Sequence, residues 1–451
     1  MKTNSFFRAL AAAALAVGGL FLPACGAKTL TTTGSVDLRI EFDRPVLPAD
    51  EVQRAIVKIG LSGCRPPRTA ERPPVNLVIV LDRSGSMSGD KIAQAREAAI
   101  EALRRLDRRD VFSLVVYDHE VSTLISPQAP TDLSWLERQI RGITSRGNTA
   151  LFAGVSQGAA ELRKNLERSG FVHRVLLLSD GMANVGPSSP DDLGRLGTAL
   201  RREGIAVTTV GLGDGFNEDL MAALAQRSDG NHYYVAESGD LPQIFAKELG
   251  DVLNVVAQQV EVTIEFPEGV RVLRSIGREA ECRGRNVSFG LNQLYGGQEK
   301  FLLVEVEVPA AKADEVRTLA KARAVFADAL DGARRELAAE GQVRYTRDET
   351  RVKSEANLRL QTEYASNRVA EAKSQAIALA DAGRKDEAAR VMRESSAQLS
   401  VIAGSYANVP MAAVAERARK EAEEVAEKGI DREKRKAMRA DEYQTRNQQR
   451  E

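Results

Sequence analysis

The sequence predicts an α/β protein: a doubly wound domain on a mainly parallel sheet, inserted into an all-β domain and followed by a helical region. Three observations predict it. Between Val75 and Asn254, near-continuous apolar runs alternate with amphipathic stretches, as in parallel strands buried on both faces and separated by helices. Flanking that segment, "SVDLRIEF" (Ser35 to Phe42) and "VEVTIEF" (Val260 to Phe266) alternate apolar with polar residues, the mark of half-buried strands. From about Arg351 onward the chain reads as helix interrupted by breakers. A length of 451 residues suits two or three domains.

Taken in order, Lys2 and Arg8 precede an apolar run from Ala9 to Leu22, of signal-peptide length and too short to span a bilayer comfortably. Residues 1–24 are expected to be a signal peptide. Leu22-Pro23-Ala24-Cys25 resembles a bacterial lipobox, which implies lipidation of Cys25 and an exported protein anchored in the cell envelope. Gly26 rather than Asp after that Cys implies the outer membrane, in a Gram-negative cell. Residues 25–34 form a polar tether. The segment 35–74 holds strands at Ser35–Phe42 and Arg54–Ser62, then the Pro-rich linker "RPPRTAERPP".

The central domain, 75–254, predicts strands at Val75–Leu81, Val111–Tyr117, Val172–Ser179, Ile205–Leu212 and His232–Val235. Ile92, Ala95, Ala99, Leu103 and Leu106 mark the first helix by their helical spacing. Further helices are expected at Leu133–Ile143, Ala150–Arg168, Pro190–Glu203, Asn217–Gln226 and Leu241–Asn254. Segment 255–347 reads as a β-sandwich-like domain, with Asn286–Leu291 and Lys300–Val308 as strands. Leu319–Thr346 is rich in Ala, yet Asp331-Gly332 is a turn signal flanked by alternating residues, which predicts a hairpin. In the helical region, 348–451, breaks fall at Ala382-Gly383, Asn408-Val409-Pro410 and Gly429. Ala378–Met392 suggests one tetratricopeptide unit, but no repeat follows at that period, which favours a plain helical hairpin. The last helix is placed at Ala415–Gly429, dense in both charges and read as a solvated or coiled-coil-like face.

Lys plus Arg and Asp plus Glu both number 63, so no global positive field is available to attract nucleic acid. Aromatic residues make up only 5%, which argues against a base-stacking platform. Besides Cys25 the chain holds Cys64 and Cys282, which flank the central domain. In an oxidising compartment they form either a disulfide or two separate buried thiols.

The chemistry gathers at strand ends. "VLDRSGSMSG" (Val80 to Gly89) closes the first core strand, "SRGNTALFAG" (Ser145 to Gly154) enters a helix, and "VLLLSDGMANVG" (Val175 to Gly186) closes another strand. A parallel sheet collects such ends at one edge, where ligands bind. That supplies Asp82, Ser84, Ser86, Thr149 and Asp180, all oxygen donors. Oxygen donors suit a hard cation, Mg²⁺ first, with Mn²⁺ or Ca²⁺ as alternatives. Hydroxyls coordinate without cancelling the cation's charge, so a partner's carboxylate remains an attractive further ligand.

Asp-x-Ser-x-Ser at 82–86, Thr149 in its Gly-Asn-Thr loop and Asp180 before Gly181 resemble the metal-ion-dependent adhesion site of von Willebrand factor type A domains. The resemblance covers Val75 to Asn254. It implies a doubly wound fold and divalent-cation-dependent protein binding, with an acidic residue of the partner completing the metal shell. The flanking β segments resemble, less specifically, those of bacterial exported proteins with this module and of the inter-alpha-trypsin inhibitor heavy chains.

Other candidates are weaker. "GLGDGFNED" (Gly211 to Asp219) lacks the third glycine of a dinucleotide loop and reads as a strand-to-helix turn, whose Asp214 and Glu218 are expected to shape an acidic rim. Asp118 ends a strand, as a generic acid or near the site. His119, His173 and His232 lack zinc-ligand spacing and read as structural or surface residues. Neither Ser84 nor Ser86 sits in a Gly-x-Ser-x-Gly nucleophile turn. The expected function is therefore a non-enzymatic binding module of the cell envelope. The alternatives are a Mg²⁺-dependent phosphoesterase using Asp82, which lacks a general base and a phosphate loop, and a metal-gated assembly switch acting through the helix Leu241–Asn254.

Overall fold

The computed structural model describes residues 31–66, 71–168 and 170–449. The expected signal peptide and the expected lipidation site at Cys25 lie outside them. The described part begins with strands β1 (Thr31–Thr33), β2 (Val36–Phe42), β3 (Val46–Pro48) and β4 (Gln53–Gly63). Strict alternation along β2 buries Val36, Leu38, Ile40 and Phe42 on one side.

The chain then leaves for the α/β domain. Its strands are β5 (Val75–Asp82), β6 (Val111–Tyr117), β7 (Val121–Gln128), β8 (Val172–Ser179), β9 (Ile205–Leu212) and β10 (His232–Val235). Its helices are α1 (Asp90–Arg104), α2 (Leu133–Arg141), α3 (Leu151–Arg163), α4 (Pro190–Arg202), α5 (Glu218–Ser228) and α6 (Leu241–Val252). The sheet runs β10-β9-β8-β5-β6-β7, parallel except for the β6–β7 pair. Leu77, Ile79 and Leu81 pack on α1, α2 and α6, whereas Val78 and Val80 pack on α3, α4 and α5. Helices cover both faces, which is why β5, β8 and β9 are buried along their whole length. Strand β7 is absent from the sequence expectation: "VSTLISPQ" is half exposed at the sheet edge and carries Pro127, so it lacks a buried strand's apolar run.

After the insertion the chain returns to β-structure: β11 (Val255–Glu265), β12 (Arg271–Ile276), β13 (Glu281–Arg283), β14 (Asn286–Tyr295), β15 (Glu299–Val308), β16 (Val316–Asp328) and β17 (Arg334–Thr346). Two sheets result, ordered β1-β2-β4-β15-β12 and β13-β14-β11-β16-β17-β3, each drawing strands from both sides of the insertion. Val57, Ile59 and Leu61 of one sheet share a core with Val262, Ile264 and Leu337 of the other. The expected hairpin is β16–β17, paired through Ala324↔Leu337, with Gly332 at φ 72° in its turn. Arg174 of β8 joins the two domains. Fully buried, it donates to Thr208 Oγ1 at 3.1 Å and to Gln293 Oε1 at 2.5 Å, with Glu248 Oε1 3.6 Å away.

The expected alternative of a Cys64–Cys282 bridge is overturned, because both thiols are free. Cys64 follows β4 in one sheet, its amide bonded to Ser35 O at 2.8 Å, whereas Cys282 is exposed on the edge strand β13 of the other. Flanking the insertion in sequence does not bring them into the narrow range of separations a disulfide needs.

The short helix α7 (Glu349–Ser354) leads into α8 (Leu358–Asp381), α9 (Lys385–Ser405), α10 (Val409–Lys428) and α11 (Arg432–Arg446). The expected breaks are all present: Gly383 and Gly429 have positive φ, and Asn408 caps α10 by accepting from Met411 N. The hairpin of α8 and α9 is half of a bundle whose core takes Ile377, Met392, Val425 and Met438 from α8, α9, α10 and α11. Ala415–Gly429 is therefore not the last helix. The charge of "REKRKAMRADEYQTR" hides α11, which nevertheless buries Met438 and Tyr443. Among the described residues no helix is long and apolar enough to cross a membrane.

Candidate metal centre

Parallel register sets the site. Leu81 of β5 lies opposite Leu178 of β8, so the next residues, Asp82 and Ser179, meet at the sheet edge. Ser179 Oγ donates to Asp82 Oδ2 at 2.6 Å. The other carboxylate oxygen, Asp82 Oδ1, accepts from Ser84 N at 2.8 Å and folds the chain back on itself. A single turn of 3₁₀ helix follows at Gly85–Met87, pinned by the fully buried Met87. It brings Ser84 Oγ within 3.1 Å of Ser86 Oγ, and Ser86 Oγ donates to Asp180 Oδ1 at 2.6 Å.

Thr149 arrives on the loop before α3, which is stitched to both neighbours. Gly85 N donates to Gly147 O at 3.0 Å and Arg146 N to Arg83 O at 2.6 Å. On the other side Thr149 N donates to Asn184 Oδ1 at 2.9 Å. The hydroxyls converge in front of Gly181. A Cβ there would stand 2.9 Å from Thr149 Oγ1, 3.5 Å from Ser86 Oγ and 3.7 Å from Ser84 Oγ. Glycine keeps open a cradle that any other residue would fill. The structure thus brings together Asp82, Ser84, Ser86, Thr149 and Asp180, the five residues expected at the metal centre.

Electrostatically the cradle lies between two carboxylates. Asp82 and Asp180 are 0% and 1% exposed. Burial pushes Asp82 up to about 6, the Ser179 and Ser84 hydrogen bonds oppose that rise, and the neighbouring Asp180 charge adds to it. Lys91, in the first turn of α1, sets its Nζ 2.5 Å from Asp180 Oδ2. Hydroxyl and carboxylate oxygens converging on one small space, with excess negative charge, fit a hard divalent cation. Ser84, Ser86 and Thr149 are placed to hold it directly, with Asp82 and Asp180 orienting the shell.

Residues that sequence reasoning left out or misjudged surround this centre. Asp118 is a brace: its side chain is fully buried and accepts from Arg83 Nε at 2.7 Å and Arg146 Nε at 2.9 Å. It thereby clamps the Ser84–Ser86 turn to the Thr149 loop. Asp118, His119 and Glu120 bring ligand-type atoms within 4.8 Å of one another, but the two guanidiniums already neutralise Asp118. Asn184, four residues past Asp180, carries no sequence signal beyond its place after a strand. The expected acidic rim is not built from Glu218, which is buried and paired with Arg435 and, at 2.6 Å, with Lys436 Nζ of α11. These partners lie far along the sequence, so the charge looked free. His173 and His232 are buried structural residues, both pushed down to about 4 by desolvation. His119 is half exposed beside Asp118.

A doubly wound sheet carrying this loop set defines a class, and residues 76–247 match the family model of the von Willebrand factor type A domain. The inserted α/β domain is thus a von Willebrand factor type A domain, a family of metal-dependent adhesion and protein-interaction modules that generally bind Mg²⁺ or Mn²⁺. The chain is 27% identical over 245 residues to the Synechocystis protein sll0103, covering 52% of this chain and 57% of that one. It is 26% identical over 255 residues to YfbK of Escherichia coli, covering 56% and 44% respectively. Inter-alpha-trypsin inhibitor heavy chain H3 of Homo sapiens is 26% identical over 202 residues, 43% of this chain and 22% of that one. The chain spans about half the length of the two bacterial relatives. Among solved structures, a von Willebrand factor type A protein from Catenulispora acidiphila superposes with TM-score 0.64 at 16% identity, over 83% of this chain and 89% of that one. The ArnB paralog VWA2 from Sulfolobus acidocaldarius gives 0.59 at 16% identity, over 92% and 98%. Such coverage carries the likeness of fold beyond the α/β domain.

Proposed function

We propose that this chain is a divalent-cation-dependent protein-binding module of the cell envelope, tethered by a lipid on Cys25, whose partner contributes an acidic residue to the metal shell. The observation that carries the reading is the hydroxyl cradle of Thr149, Ser86 and Ser84 in front of Gly181. When bound, a cation at the cradle supplies an electrophilic position for a carboxylate from outside. The chain's own residues do the rest. Ser84, Ser86 and Thr149 present neutral oxygens, so a cation there keeps its attraction for an external anion. Asp82 is held by Ser179 Oγ and Ser84 N and stays fixed at the base of the turn. Asp118 keeps the two hydroxyl-bearing loops in register through Arg83 and Arg146.

This arrangement supports binding over phosphoester hydrolysis. Both Asp82 oxygens are engaged in buried hydrogen bonds, so it is poorly placed as a nucleophile. Ser84 faces Ser86 and not a base. The test is affinity capture from envelope extracts with the full chain. EDTA should release an acidic partner and Mg²⁺ should restore it. A complex that survives EDTA, or aryl phosphate turnover lost in Asp82→Ala, would remove the proposal.

A further inference from the structure

The C-terminal helix α11 returns across the molecule to the α/β domain and grips the segment joining β9 to α5. Lys436 is only 4% exposed; its Nζ donates to Phe216 O and to Glu218 Oε2, both at 2.6 Å, and lies 4.4 Å from the centre of the Phe216 ring. Arg435 ties Glu218, Asp219 at 2.6 Å and Asp381 of α8 at 2.7 Å into one cluster. Phe216 itself is wedged against Gly211 of β9, where a Cβ would stand 2.2 Å from its ring. One residue earlier, Gly215 abuts the metal centre, since a Cβ on it would lie 2.7 Å from the carbonyl oxygen of Asp180. A short backbone segment is therefore pressed between a buried ammonium on one side and Asp180 on the other.

We infer that Lys436, supported by Arg435, is a positioning residue for the metal centre: it fixes the loop Gly213–Asn217 and, through Gly215, the backbone of Asp180. A buried ammonium bonded to a carbonyl and a carboxylate is costly to disturb, so the clamp is stiff. Because Arg435 also holds α8, the helical bundle and the metal centre share one electrostatic joint. The inference rests on the metal reading of the Asp82–Asp180 site.

The experiment uses the full chain with Mg²⁺ alone as the probe. Lys436→Met keeps the buried stem and removes the charge. It should weaken Mg²⁺ binding by calorimetry roughly fivefold, somewhat below the ~10–100-fold typical when a direct outer-shell partner is lost. Hydrogen exchange should rise at residues 213–217 in the same variant. Tyr443→Phe is the control: it removes a 2.7 Å hydrogen bond from the same helix to Gly230 O, beyond the far end of the 11-residue α5. It should cost stability yet leave Mg²⁺ affinity unchanged, which separates positioning from general destabilisation. If Lys436→Met does not fold, Arg435→Met, at a position 20% exposed, carries the same expectation. Mg²⁺ affinity within twofold of wild type in the folded variant overturns the inference and leaves the metal reading intact. Absence of Mg²⁺ binding by the wild type overturns both.

Discussion

Gly181→Ala isolates the cradle from the rest of the fold. The backbone of Gly181 lies outside the left-handed region, so alanine is conformationally permitted. Its methyl carbon would sit 2.9 Å from Thr149 Oγ1, which forces that hydroxyl to give by a few tenths of an ångström, and within 3.7 Å of both serine hydroxyls. The cost to the fold should be modest, about 1 kcal/mol, the low end for one extra methyl in a packed site. The cost to metal binding should be much larger, because the methyl stands where the hydroxyls converge. A loss of at least ~100-fold in Mg²⁺ affinity is expected, the upper end of what even an indirect perturbation produces. Linkage converts this into a second readout. At Mg²⁺ of 100 times the wild-type Kd, the ion stabilises the native wild type by about 2.7 kcal/mol. A variant with a ~100-fold weaker site gains only about 0.4 kcal/mol at that concentration. Calorimetric titration measures the first quantity, and chemical unfolding with Mg²⁺ or EDTA the second. A Gly181→Ala protein whose Mg²⁺ affinity stays within threefold of wild type would refute the assignment of the cradle.

Other outcomes follow from the same structure. Asp82→Ala and Asp180→Ala should abolish Mg²⁺ binding by calorimetry while far-UV circular dichroism stays native; retained affinity in both sinks the site. Asp118→Asn should loosen the two loops that Arg83 and Arg146 join, costing ~1–3 kcal/mol in denaturant unfolding and weakening Mg²⁺ roughly tenfold; an unchanged midpoint and affinity would remove the brace. His173 and His232 are both held near 4, against an ordinary 6.5, by burial. Below 6.5 the unfolded chain protonates them and the native state does not, so each imidazole should withdraw up to about 3 kcal/mol of stability between pH 6.5 and 4, while Asp82, pushed up to about 6, acts in the opposite sense. His232→Gln should therefore lose less stability than the wild type across this window, and identical profiles for the two proteins would count against the burial argument. Both free thiols should alkylate without reductant after denaturation, with the exposed Cys282 reacting first in the native protein; an unreduced chain that resists alkylation would restore the bridge.

Much of this was legible before folding. The α/β domain announces itself because strands buried on both faces must be apolar throughout, and β5, β8 and β9 are. The hairpin at Asp331-Gly332 was readable because turn geometry demands particular residues. Strands β12 and β13 were not: β12 is partly exposed along most of its length and β13 wholly so, and burial is what imprints an apolar pattern. The site residues were readable because Ser84, Ser86, Thr149 and Asp180 fall at strand and loop ends, where a parallel sheet must collect them. Their supports were not. Asp118 looks like any strand-end acid until Arg83 and Arg146 are seen folded onto it.

Local periodicity and chemical type were enough to read the class of fold and to expect a set of oxygen donors suited to a hard ion. Tertiary structure alone decided which charges were spent inside the molecule. Glu218 reads as a rim acid, yet two cations from more than 200 positions away neutralise it. Cys64 and Cys282 flank the insertion in sequence, but Cys64 follows β4 of one sheet and Cys282 lies on β13 of the other. Pairing depends on distance in space, and the chain's path through a two-sheet sandwich and back along α11 sets that distance.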